Sequence, residues 1–77
     1  MKIKCELTDT FGGEPNYSWV RRAEIEVPED ASESLIVRRS KKTLGLSGVR
    51  CRKSTYCGII RLVPTNSCTV AFINSNW

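Results

Sequence analysis

Histidine is absent from this chain, and no acidic residue follows Glu33. The first absence removes the side chain that most often acts as a base near neutral pH, and with it every Ser-His or Cys-His pair. No two cysteines stand in a Cys-x-x-Cys pair, so without histidine no metal site is expected either. The segment "FGGEP" lacks the Gly-Lys-Ser/Thr ending of a phosphate loop and the spaced glycines of a dinucleotide fingerprint. Paired carboxylates remain as an acid/base option, but the acidic residues fall mainly on a hairpin face already opposed by base. The expectation is a non-enzymatic protein with no cofactor. No apolar run approaches the length of a membrane span, so no membrane partner is expected. No export signal precedes "KIKCELT", which points to the cytoplasm and to reduced thiols at Cys5, Cys51, Cys57 and Cys68. Of these, Cys5, Cys51 and Cys68 sit in apolar or alternating segments, where cysteine behaves as a small hydrophobe.

The second absence shapes the charge distribution. All eight acidic residues lie at or before Glu33, and residues 1–33 carry four basic and eight acidic groups, a balance of −4. Residues 34–77 carry eight basic groups and no acidic ones, a balance of +8. Such asymmetry is the mark of an electrostatic face for an acidic partner.

Residues 1–77 have room for one small domain of marginal stability. "KIKCELTD" (2–9) and "RRAEIEV" (21–27) both alternate, as half-buried strands do. Antiparallel pairing with Lys4 opposite Glu24 sets Lys2 against Glu26 and Glu6 against Arg22, so all three outward pairs are opposite in sign. It also places Ile3 on Ile25 and Cys5 on Ala23. A helix is predicted over about 31–44, with Asp30 as N-cap, Glu33 completing a capping box, and Gly45 past the end. Its buried stripe is Ile36, Val37, Ser40, Thr43 and Leu44. "VRCRKS" (49–54), "GIIRLV" (58–63) and "CTVAFI" (68–73) follow as strands. The near-continuous apolar character of the last two suits the centre of the sheet or a second covered face. "NSNW" closes the chain as a polar tail with an aromatic end. The resulting order is ββαβββ, an α+β fold with a single helix on a mostly antiparallel sheet.

Two candidate surfaces emerge. On the helix, Arg38, Lys41 and Lys42 project opposite the buried stripe with Arg39 at its flank, and Arg50, Arg52, Lys53 and Arg61 extend the field where the strands lie near. Phosphates are attracted to such a surface without special geometry. No helix-turn-helix, strand-borne RRM aromatic motif or KH-type GxxG appears, so sequence-specific base reading is not expected. The other surface is the connection holding Phe11, Tyr17 and Trp19, flanked by Arg21 and Arg22. At about nine or ten residues it exceeds the usual hairpin loop. Its composition is that of an interface anchor or a base-stacking surface, or of a mini-core with the rings folded back to plug the open end of the sheet. An exposed apolar edge such as "IIRLV" offers a route to a homodimer.

"LTDTFGGEPNYSWVRRAEIEVPEDAS", "GLSGVRCRKSTYCGII" and the closing "FINSNW" resemble a group of short proteins encoded in phages and prophages. The resemblance covers most of the chain, and "DTFGGEPNYSWVRR" is its most distinctive part. It implies an accessory protein working in a bacterial host by binding a host macromolecule, including defence complexes such as CRISPR effectors; the charge distribution makes that partner an acidic one, a nucleic acid or a host protein complex. It assigns no functional residue.

Overall fold

The computed structural model describes residues 1–74, so the aromatic end of the tail lies outside the described residues. The elements are β1 (Lys2–Phe11), β2 (Glu14–Glu26), α1 (Glu33–Thr43), β3 (Cys51–Tyr56), β4 (Ile59–Pro64) and β5 (Thr69–Asn74). This is the ββαβββ order of an α+β fold. The five strands form one sheet in the order β2-β1-β5-β4-β3, with every pairing antiparallel.

The first hairpin takes the register that its charges favour. Lys2 pairs with Glu26, Ile3 with Ile25, Lys4 with Glu24, Cys5 with Ala23 and Glu6 with Arg22. Arg22 bonds Glu6 at 3.1 Å, whereas Lys2 reaches diagonally to Glu24 at 3.6 Å.

The connection between these strands is not a long loop. β1 runs on to Phe11, opposite Glu14, and only Gly12 and Gly13 turn the chain. Both have positive φ, at 63° and 83°, as a type I′ hairpin turn demands. The surplus residues enter β2 as a bulge, where the register shifts between Thr8 and Thr10. Residues 14–20 do not alternate, which is why they look like loop in the sequence. Cys57 and Gly58 make the same kind of turn between β3 and β4, with φ of 51° and 79°.

The helix begins later than the capping-box pattern suggests. Residues 28–31 close a turn first, the Ala31 amide donating to the Pro28 carbonyl at 3.0 Å. Ser32, not Asp30, then caps α1, its hydroxyl accepting from the Leu35 amide at 3.2 Å. At the far end the Leu46 amide reaches the Lys41 carbonyl at 2.7 Å and the Gly45 amide the Lys42 carbonyl at 3.3 Å, a Schellman motif with Gly45 at φ 76°. Thr43 is exposed rather than part of the buried stripe.

Helix and sheet enclose one core. Ile3, Cys5 and Leu7 of β1, Ile60 and Leu62 of β4, and Ala71 and Ile73 of β5 meet Leu44, Leu46 and Val27 there. These residues share one face of the sheet. The opposite face carries Phe72, Ile59, Arg61, Glu6 and Lys4, and among the described residues no second helix packs on it. The apolar β5 is central and β4 lies beside it, so "IIRLV" is not an edge; β2 and β3 are the edges. Cys68 sits exposed beside the β4–β5 turn instead of packing as a strand hydrophobe.

Candidate functional site

The cations of the second half are displayed rather than neutralised. Of the eight, Lys53 alone meets a carboxylate among the described residues, bonding Glu33 at 2.6 Å. Arg38, Lys42, Arg50 and Arg52 are all exposed. Three cations converge on one groove of about 340 Å³ between α1 and the chain leading into β3. Arg38 and Lys41 enter it from the helix and Lys53 from the strand, with the Ser34 and Ser47 side chains beside them.

Lys41 departs from its expected place. It is half-buried on the flank of α1, and its ammonium donates to the Val49 carbonyl at 2.6 Å. That bond draws the side chain towards β3 and ties the 47–50 segment to the helix. Arg39 leans the other way, donating to the Glu26 carbonyl at 3.2 Å. Alternation along β3 puts Lys53 on the helix side and Arg52 on the open side. The basic residues therefore wrap around the β3 edge instead of lining one flat face.

The aromatic segment is built around Asp9. Its carboxylate accepts from the Asn16 side chain at 3.0 Å, the Ser18 hydroxyl at 2.5 Å and the Ser18 amide at 3.0 Å. The Ser18 hydroxyl, then Asn16, then the Ser18 amide hold its pKa down at about 2. These bonds bracket Tyr17, a bulky residue with φ of 56°. The turn they impose swings the Tyr17 ring across the sheet, where its hydroxyl donates to Glu6 at 2.7 Å. That bond, followed by partial burial and the negative charge of Glu6, raises the phenol pKa, against a smaller opposing pull from Arg22.

No protein-family model matches this chain, and no curated protein or solved structure matches it either.

Phe11 and Tyr17 are exposed to 79% and 50%, and Trp19 to 44%. None of the three rings is sequestered as a mini-core. Their neighbouring cations are occupied within the fold, however. Arg22 is paired with Glu6, and Arg21 donates to the Leu44 carbonyl at the end of α1, at 3.4 Å. They brace the hairpin and the helix terminus.

A further surface escapes the sequence reading. Tyr17, Glu6, Arg22, Ile59 and Phe72 line a cleft of about 740 Å³ on the open side of the sheet. Tyr56, 80% exposed, stands opposite Ile59 on the same side. The signals were the Cys57-Gly58 turn and the outward position of Phe72 within an apolar strand. Among the described residues no group of three or more His, Cys, Asp or Glu side chains is arranged to hold a metal, and no helix is long and apolar enough to cross a membrane.

Proposed function

We propose that this protein is a non-catalytic binding module that engages nucleic acid, or a nucleoprotein, through the cationic surface of α1 and β3. One observation carries the reading: seven of the eight cations beyond Glu33 have no carboxylate partner among the described residues. Like charges held together without counter-charges repel one another, and polyanion binding relieves that repulsion. The groove between Arg38, Lys41 and Lys53 seats a backbone phosphate, while Lys42, Arg50 and Arg52 extend the field. Binding of this kind is loose, indifferent to sequence and steeply salt-dependent.

Titration of the protein with duplex DNA at two salt concentrations tests the proposal. Affinity should fall steeply with salt, and combined Arg38→Glu and Lys42→Glu substitution should remove it. Absence of binding at low salt would sink the reading.

A second reading rests on the exposed Phe11 and Tyr17 rings, which suit docking into a protein partner, such as a host factor inhibited by the contact. Phe11→Ala should weaken that contact while leaving weak DNA binding intact.

A further inference from the structure

We infer that the open face of the sheet is a stacking platform for the unpaired bases of a single-stranded nucleic acid. This rests on the nucleic-acid reading above and names the form of nucleic acid that binds.

The face has an apolar floor in the middle of the sheet. Phe72 and Ile59, from β5 and β4, line the open cleft, and the Tyr17 ring walls it on the β1 side. Tyr56 extends the floor to the β3 edge. Phe72 and Tyr56 lie two strands and one cross-strand row apart, roughly 12 Å by ordinary strand and residue spacing. Two bases separated by one intervening nucleotide can therefore each take a ring.

Charge selects the occupant. Arg61 stands between Phe72 and Ser54 in one cross-strand row, and Arg52 is its diagonal neighbour. Neither meets a carboxylate among the described residues, and the Arg61 Nε is buried without any hydrogen-bond partner there. The carboxylates on this face are already engaged: Glu6 accepts from Tyr17 and Arg22, and Glu24 pairs with Lys2. A second copy laid on this face would bring the same two guanidinium groups into a drying contact, at a desolvation cost. A single strand instead offers ring faces to Phe72 and Tyr56 and phosphates to Arg52 and Arg61. A duplex hides its bases and can use the charges alone.

The test is an NMR titration of isotope-labelled protein with short oligothymidylate, and in parallel with a duplex of equal length. Oligothymidylate should shift the Phe72 and Tyr56 ring signals. Tyr56→Ala, at an exposed site that leaves the core intact, should weaken single-strand binding by about tenfold. Tyr56→Phe and Phe72→Tyr should largely preserve it, and duplex binding should not respond to Tyr56→Ala. Shifts confined to α1, or equal affinity for both forms with no Tyr56 effect, would overturn the inference while leaving the cationic reading standing. Absence of binding to either form would overturn both. Ring signals that move with protein concentration and not with oligonucleotide would assign the face to a second copy, and the inference would fall.

Discussion

Asp9 takes the hydroxyl of Ser18 at 2.5 Å and its backbone amide at 3.0 Å, and through this pair a carboxylate on β1 dictates the path of β2. The intervening geometry is costly. A non-glycine residue in the left-handed region costs about 1–2 kcal/mol, and Tyr17 occupies it. Asp9 offsets this by holding the residue on each side, Asn16 as well as Ser18. The outcome is a Tyr17 ring placed over the sheet and bonded to Glu6 rather than extended into solvent. A small polar cluster thus shapes one wall of the open cleft.

The clamp should fail in acid. The Asp9 pKa is lowered from 3.8 to about 2, so the folded state binds this proton less readily than the unfolded chain. The group's contribution to stability is therefore complete above the unfolded pKa and is lost as pH falls towards about 2. A carboxyl titration followed by NMR should place the Asp9 midpoint near that value, with the Ser18 amide shift tracking it. A midpoint at the ordinary aspartate value would show that the three bonds do not persist in solution.

Helix termination offers a separate test. Gly45 has φ of 76°, and a Cβ added there would meet Arg21 Nη1 at 3.6 Å, an ordinary contact. Backbone strain, not crowding, then sets the effect of Gly45→Ala, about 1–2 kcal/mol of lost stability in urea unfolding. Gly45→Asn should lose less, because asparagine tolerates the left-handed region. Equal stability of all three proteins would mean that the Schellman turn does not hold the end of α1.

Much of this architecture was legible because several signals agreed. In the first hairpin, period-two alternation and three opposite-sign pairs selected one register. At the end of α1, the apolar stripe, the basic last turn and Gly45 all marked the same place. Legibility failed where one local pattern had a close competitor. Asp30 and Glu33 have capping-box spacing, yet the 28–31 turn consumes Asp30 and leaves Ser32 to cap. The Gly12-Gly13 turn is hidden within a connection of loop-like length, because the bulge behind it breaks the alternation that reveals strands. The candidate surfaces divided in the same way. Unbalanced charge shows in composition, so the cations of α1 and β3 were accessible to reading. The platform around Phe72 depends on which strands become neighbours, and residues 56, 59 and 72 acquire a relationship only through the sheet order.

Ser40 marks a place where the core is not optimised. It is fully buried in α1, and its Oγ has no hydrogen-bond partner among the described residues. Nearby, burial pushes the Cys5 thiol pKa up, while a weaker influence from the Ser40 hydroxyl, outside hydrogen-bond geometry, opposes it. Ser40→Ala removes a buried unsatisfied hydroxyl and improves helix propensity, so it should stabilise the fold by about 1 kcal/mol. Thermal unfolding measures this directly. A drop in the midpoint would mean that the hydroxyl has a partner in solution.

Among the described residues, Glu33 is the one carboxylate that pairs with a cation beyond it, which makes its removal informative. Its bond to Lys53 joins two half-exposed groups, so Glu33→Gln should cost at most about 1 kcal/mol of stability. The released ammonium lies in the same groove as Arg38 and Lys41. If that groove seats a phosphate, the variant should bind duplex DNA more tightly at low salt. One additional phosphate contact should also steepen the plot of log K against log salt by about 0.9. Both quantities come from a single pair of titrations. Tighter binding with an unchanged slope would indicate a general field effect and not a contact at Lys53. Binding that does not tighten would mean that the ammonium freed from Glu33 gains no phosphate, and the assignment of this groove as a phosphate seat would have to be abandoned.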